Sequence, residues 1–364
     1  MTPRSQMGSP YMEFAKLRSS AKYNLATSGI MSYPLAELPV KITDLEINGT
    51  GPYGYAPLVE RIAHYNGVAP EHVVTAAGTS FANHLAMVAT FDPGDEVLIE
   101  HPTYELLEST ALYLGADLKR FERRFEDGFR LDPAEVERHV SPRTKLIIVT
   151  NLHNPSGTYA DENTIRTIGD IAKSRGARVL VDEVYLESFY GHRPTPAIHY
   201  GEHFLVTSSL TKAFGLSGIR CGWVLCGPQL AHRMWRINDL YAASPAHPAE
   251  LISVIAFDNL DKVAARAKTL LDTNRKSLNE FLDAQTTLDV YRPEYGTIVF
   301  PRLKRGSIED FLNLLREKHD TSVVPGRFFD MAQHFRIGIG GDPEMTHTGL
   351  DRLNSALDEY ARSI

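Results

Sequence analysis

Short apolar runs alternate with helix-like segments between about residue 70 and residue 230, and this alternation constrains the fold more than any other feature. The runs are bounded and rich in Val, Ile and Leu, which is typical of strands buried on both faces. They occupy residues 96–102, 144–151, 177–183, 204–209 and 222–227. We therefore predict an α/β fold in which helices sandwich a mostly parallel sheet.

The last third of the chain has a different pattern. Residues 307–319 and 349–360 read as amphipathic helices, with a strand at 334–340 between them. A long connecting helix is predicted near 246–285. We expect a large domain at 45–245, and a smaller α+β domain formed by 1–44, which includes an N-terminal arm, together with 246–364.

Composition and charge argue against several partners and locations. A net charge of -7 disfavours nucleic acid or an anionic membrane as the main partner. No apolar run is long enough to span a bilayer and the first residues lack a signal-peptide core, so we expect a cytoplasmic protein. Only Cys221 and Cys226 occur, and the fourteen histidines lack metal-ligand spacing, so no disulfide framework or metal site is predicted.

Polar side chains recur where the predicted strands end. They are Asn154, Asp182, Tyr185, Ser209 and Lys212. Ligands of an open α/β sheet bind beyond the carboxyl ends of its strands, so these residues are expected to meet at one site. Residues 78–80, Gly-Thr-Ser, begin a predicted helix whose free N–H groups and dipole favour a phosphate.

Each of these features has an ordinary structural explanation when it is taken alone. A lone lysine is usually a surface charge, an aspartate after a strand is usually a cap or turn residue, and "NPSG" is a good turn. Together they suit pyridoxal phosphate, which needs a lysine amine for its Schiff base and an acid at its ring nitrogen. It also needs a phosphate cradle, where small residues let the backbone approach.

The stretch "SLTKAFGLSGIR" resembles the lysine signature of class I/II aminotransferases, which are fold type I pyridoxal phosphate enzymes. The resemblance covers roughly residues 20–360. It implies that Lys212 binds the cofactor, that Ser209 and Arg220 bind its phosphate, and that the large domain is the cofactor-binding one. The "GTS" turn matches the family's phosphate-binding turn. Its residues are Gly78, Thr79 and Ser80.

Other elements of the same resemblance assign the rest of the site. "NPSG" implies that Asn154 bonds the cofactor's phenolic oxygen, and "DEVY" implies that Asp182 pairs with the ring nitrogen and Tyr185 supports the phenolic oxygen. Tyr104 falls where an aromatic ring stacks on the cofactor. Arg336, with Asn154, is expected to hold the substrate carboxylate, for which a planar guanidinium suits bidentate pairing.

The sequence departs from the family pattern at one cofactor contact. The family commonly has a tyrosine that reaches the phosphate of the neighbouring subunit in a homodimer, and Gly49 stands at that spacing here. Tyr53 or Tyr55 are the candidates to replace it.

The substrate side chain is less well defined by the sequence. Dicarboxylate-specific relatives use a second arginine, whose place is taken by Asn238, two residues from Arg236. This favours a neutral or aromatic amino acid. Ile30 and Tyr33, like Tyr53 and Tyr55, either line the substrate pocket or simply pack in the core.

The resemblance implies an aminotransferase that moves an amino group between an L-amino acid and a 2-oxo acid, with Lys212, Asp182 and Tyr185 as catalytic residues. Two alternatives remain open. The same site chemistry serves lyases, racemases and decarboxylases, because a fold does not fix a reaction. A non-catalytic regulatory domain of aminotransferase type is the other, although the chain offers no basic helix-turn-helix segment.

Overall fold

The structure, a computed structural model, describes residues 6–49 and 53–364. Residues 1–5 of the predicted N-terminal arm, and 50–52 between Gly49 and Tyr53, lie outside the described residues. The helices are α1 (Pro10–Leu17), α2 (Ala56–Asn66), α3 (Thr79–Thr90), α4 (Glu105–Tyr113), α5 (Pro133–His139), α6 (Glu162–Ser174), α7 (Pro228–Asn238), α8 (His247–Asp258), α9 (Leu260–Ala284), α10 (Ile308–His319) and α11 (Pro343–Ser363). The strands are β1 (Tyr23–Asn24), β2 (Val73–Ala77), β3 (Glu96–His101), β4 (Asp117–Glu122), β5 (Thr144–Thr150), β6 (Arg178–Asp182), β7 (Phe204–Ser209), β8 (Cys221–Leu225), β9 (Leu288–Asp289), β10 (Ile298–Val299), β11 (Arg302–Leu303), β12 (Thr321–Ser322), β13 (Val324–Pro325) and β14 (Phe335–Gly338).

A seven-stranded sheet in the order β2-β8-β7-β6-β5-β3-β4 forms the centre of the fold. Strands β7, β6, β5, β3 and β4 pair in parallel, whereas β8 is antiparallel to both of its neighbours. Each of the five predicted strands is part of this sheet, which confirms the predicted fold class.

Both faces of the sheet are covered, as the continuous apolar runs predict. In β5, Ile147 and Val149 belong to one buried cluster, which includes residues of α6 and α9. Their neighbours Leu146 and Ile148 belong to a second cluster, which includes residues of α3, α4 and α7. Successive side chains of a strand point to opposite faces, so an apolar run of this kind requires helices on both sides.

The C-terminal third forms the smaller α+β part, with α9, α10 and α11 beside short strands that include β10, β14 and β13. The expectation of one long helix near 246–285 is corrected: α8 and α9 are separate helices that meet at Asn259. Asn259 leaves the helical conformation and its amide donates to the Ile255 carbonyl, 2.8 Å away. This local bond competes with a continuous helix. The proposed domain boundaries stay a prediction.

Candidate active site

A cavity of about 280 Å³ lies at the carboxyl ends of β5, β6 and β7. Nine of the predicted site residues line it: Thr79, Ser80, Tyr104, Asn154, Asp182, Tyr185, Ser209, Lys212 and Arg220. Gly78 and Arg336 do not line the cavity, but each contacts a residue that does. The structure therefore brings the predicted site together from distant parts of the chain.

The amine of Lys212 lies in this cavity. Lys212 follows β7, and its Nζ donates a hydrogen bond to Ser28 Oγ at 3.2 Å. A Cβ at Gly29 would lie 3.3 Å from Lys212 Cδ, so the segment that follows β1 packs closely along the lysine stem. Ser28 was not predicted, because it stands in a segment without a motif.

Asp182 ends β6 and is buried, with 4% of its surface exposed. Its carboxylate accepts a hydrogen bond from Asn83 Nδ2 at 2.8 Å and another from the Val184 N–H at 3.1 Å. Burial raises the pKa of Asp182 to about 6, although these bonds and the charge of Lys212 oppose the rise. The carboxylate is therefore mostly ionised at neutral pH.

Asn83 was missed by the sequence analysis. Its Oδ1 accepts a hydrogen bond from Thr207 Oγ1 at 2.5 Å, which fixes the amide so that Nδ2 faces Asp182. An asparagine on the otherwise apolar buried face of helix α3 was the available signal, because a buried polar group requires partners.

The first turn of α3 and the loop after β7 together offer several hydrogen-bond donors. Thr79 Oγ1 donates to Ser209 Oγ at 2.8 Å, and the Thr211 N–H donates to the same oxygen at 3.2 Å. No side chain that the structure describes caps the N-terminus of α3, so its backbone N–H groups are available to an anion.

Arg220 completes this anion site. It is exposed, adopts a left-handed conformation with φ of 53°, and its guanidinium donates to the Ala77 carbonyl at 3.0 Å. A Cβ at Gly78 would lie 2.3 Å from Arg220 Nη2, so the guanidinium occupies space that only a glycine leaves free.

Arg336, on β14, is fully buried and has no carboxylate partner among the described residues. Nη1 donates to Asn154 Oδ1 at 2.8 Å and Nη2 donates to the Tyr11 hydroxyl at 2.7 Å. Nε has no hydrogen-bond partner within residues 6–49 and 53–364. A buried cation held only by neutral groups favours an incoming anion.

Two tyrosines complete the cavity wall. Tyr185 is 3% exposed and lines the cavity beside Asp182. The Tyr104 hydroxyl lies 3.6 Å from Met12 Sδ, and its ring meets that of Tyr11 edge to face, with 5.6 Å between ring centroids. Burial, with Tyr11 nearby, raises the pKa of Tyr104 well above its ordinary value, so this phenol stays protonated.

The other residues suggested for the substrate or the neighbouring phosphate lie elsewhere in this chain. Tyr53 donates to Asp239 at 2.8 Å and Tyr55 packs against His247, both at a separate open surface pocket. Arg236 pairs with Asp239 and Asn238 is buried, and neither lines the cavity. Ile30 and Tyr33 belong to the hydrophobic core, as the packing alternative predicted.

The family described as aminotransferase class I and II matches residues 42–353. The chain belongs to this family. Capreomycidine synthase of Streptomyces vinaceus is 29% identical over 99% of the chain and 96% of its own length. Aspartate aminotransferase of Sulfurisphaera tokodaii is 25% identical over 95% of the chain and 87% of its own. A pyridoxal phosphate-dependent aminotransferase from Streptococcus suis has a similar structure, with a TM-score of 0.90, 26% identity, and coverage of 96% and 97% of the two chains.

The cofactor of this protein is pyridoxal phosphate, and the residues present fit it. The space that Gly78 leaves beside Arg220, together with the Thr79 and Ser209 hydroxyls, suits a phosphate. A buried carboxylate that is held by neutral donors, Asp182, suits a protonated ring nitrogen. The Lys212 amine reaches the same cavity. Among the described residues no helix is both long and apolar enough to cross a bilayer.

Proposed function

We propose that this protein is a pyridoxal phosphate-dependent aminotransferase that moves an amino group between an L-amino acid and a 2-oxo acid. The observation that supports it most is that one cavity joins the Lys212 amine, the buried Asp182 carboxylate and the Asn154 side chain that Arg336 contacts. An amine, an ionised acid and a carboxylate-binding cation are the groups that this reaction needs.

Bound pyridoxal phosphate would supply an electron sink that makes the α-proton of an amino acid acidic. Lys212 would hold the cofactor and, once displaced by the substrate, its Nζ would take the α-proton and return it in the later step. Ser28 Oγ, which accepts from Nζ, orients the amine within the cavity. Asp182 would keep the ring nitrogen protonated, because its carboxylate is ionised above pH 6.

The other groups would bind and orient. Thr79, Ser80, Ser209 and Arg220, with the start of α3, would hold the phosphate. Arg336 would pair with the substrate α-carboxylate, with Asn154 beside it. Tyr185 and Asn154 would donate to the phenolic oxygen, and Tyr104 would cover the ring. These contacts exclude water and leave a charged, oriented pocket in which a proton moves between fixed groups.

A cyclising or eliminating reaction is the second candidate. Capreomycidine synthase matches 99% of the chain, and this match includes helix α1. The family match, which covers residues 42–353, does not reach that helix. Removal of the α-proton by Lys212 would begin that reaction as well, so the two candidates share a site and differ in the fate of the substrate. The remaining alternatives are a racemase or decarboxylase and a non-catalytic regulatory domain.

A panel of the twenty common L-amino acids, mixed singly with the cofactor-loaded protein, tests the proposal. We expect one amino acid to change the visible spectrum and release its 2-oxo acid, and an added 2-oxo acid to restore the spectrum. Lys212→Ala is the control and should show neither change. Release of ammonia, carbon dioxide, the D-enantiomer or a cyclic product instead would support an alternative reaction and contradict transamination.

We also propose that the protein is a homodimer, in which Tyr53 or Tyr55 contacts the neighbouring phosphate. Both tyrosines lie at an open surface pocket, outside the cavity of their own chain. An elution volume that corresponds to a monomer at micromolar concentration would contradict this. The cytoplasmic location stays a prediction.

A further inference from the structure

Helix α1 (Pro10–Leu17) covers one side of the cavity, although it precedes the part of the chain that matches the family. Four of its residues line the cavity: Tyr11, Met12, Phe14 and Ala15. The helix begins at a defined point, because the side chain of Ser9 accepts from the Met12 N–H at 3.1 Å. The Ser9 hydroxyl also donates to the Glu105 carboxylate of α4, which ties the start of the helix to the rest of the fold.

Tyr11 is the residue of α1 that reaches the buried guanidinium. Its hydroxyl accepts from Arg336 Nη2 at 2.7 Å, while Asn154 accepts from Nη1 on the other side. The two oxygens fix the rotation of the guanidinium, since each binds a different terminal nitrogen. The plane that Arg336 presents to a carboxylate is thus set partly by Tyr11.

The same hydroxyl is linked to the catalytic amine. Ser28 hydrogen-bonds to Tyr11 in a way that favours its ionised form, and Ser28 Oγ also accepts from Lys212 Nζ at 3.2 Å. Burial raises the pKa of Tyr11, but the charges of Arg336 and Lys212 and the hydrogen bonds of the phenol together lower it below its ordinary value.

The ring of Tyr11 is held independently of its hydroxyl. It meets Tyr104 edge to face at 5.6 Å and Phe328 at 6.0 Å between ring centroids. Replacement by phenylalanine therefore removes the oxygen and keeps the aromatic packing.

We propose that Tyr11 is a positioning residue of the α-carboxylate site, which orients Arg336 and makes helix α1 part of substrate recognition. This inference rests on the proposed function in one respect, namely that the substrate carries an α-carboxylate. Tyr11 acts through Arg336, and its effect should appear in substrate binding and not in cofactor binding.

The test is Tyr11→Phe in the cofactor-loaded protein, titrated with whichever of the twenty L-amino acids changes the wild-type spectrum most. The half-saturating concentration should rise about tenfold or more, as for loss of a hydrogen bond to a charged group, while kcat changes less. Tyr33→Phe is the matched control, because the Tyr33 hydroxyl is buried, has no hydrogen-bond partner in the described part of the chain and does not line the cavity.

A primary amine with the same side chain but no carboxyl group separates positioning from a general disturbance. Tyr11→Phe should leave the response to this amine unchanged. Equal half-saturation of wild type and variant by the amino acid would overturn the inference, as would an equal loss for the amine or a loss of bound cofactor. If the wild type responds to no amino acid, the proposed function itself fails, and that result is distinct from an unchanged Tyr11→Phe titration.

Discussion

Gly78→Ala isolates the phosphate site from the rest of the protein. Gly78 has φ 82° and ψ 170°, a region that is essentially restricted to glycine, so a side chain there costs roughly 1–3 kcal/mol of stability. The added Cβ would also lie 2.3 Å from Arg220 Nη2. Because this atom ends a flexible side chain, we expect the guanidinium to move away and the protein to stay folded.

The displaced guanidinium would lose its place at the phosphate, a charged hydrogen bond worth about 1.5–3 kcal/mol. The cofactor dissociation constant should then rise roughly 10- to 100-fold, measured by titration of the cofactor-free protein with pyridoxal phosphate and visible absorbance.

Gly94→Ala is the matched control for this prediction. Gly94 also has a positive φ, 92°, but no atom of the described residues lies within 4 Å of its added Cβ. It should lower the melting temperature and leave cofactor affinity unchanged. Equal cofactor affinity in the Gly78→Ala and Gly94→Ala proteins would refute the reasoning.

Three further substitutions test two other parts of the site and one buried carboxyl group outside the cavity. Arg336→Lys removes the planar guanidinium, so KM for the amino acid should rise roughly 10- to 100-fold while the cofactor spectrum stays unchanged. An unchanged KM would contradict the proposal that Arg336 binds the substrate carboxylate. Asn83→Ala removes a hydrogen-bond donor that favours the ionised form of Asp182, so the pKa of Asp182 should rise. The acidic limb of the pH profile of kcat/KM should then move to higher pH, and an unmoved limb would contradict this role of Asn83. Burial raises the pKa of Glu183 to about 8 from an ordinary 4.5, so this group makes wild-type stability fall as pH rises from 4.5 to 8, by about 4–5 kcal/mol. Glu183→Gln should abolish that part of the fall in urea unfolding, and an identical pH dependence would contradict it.

The part of the fold that could be predicted from sequence is the part where burial is continuous. The runs that became β3, β5, β6, β7 and β8 are apolar on both faces and were found. The edge strand β4, "DLKRFE", was not, because Phe121 is its only fully buried residue and the rest are partly or fully exposed. Strand pairing, and not hydropathy, defines such a strand.

The candidate site, like the fold, could be predicted from the sequence only in part. Residues with a local motif, such as Lys212 and Asp182, were predicted and lie together in the cavity. Tyr11, Ser28 and Asn83 were not predicted, because their partners are 325, 184 and 99 residues away along the chain. Only the folded arrangement brings such residues to the site.

The most direct test of the central claim is to locate the cofactor on the chain. The cofactor-loaded protein is reduced with borohydride, digested, and examined by mass spectrometry for a pyridoxyl group. We predict that the group is found on the peptide that contains Lys212, in about one equivalent per chain. A pyridoxyl group on another lysine, or on none, would contradict the assignment of this cavity as the active site.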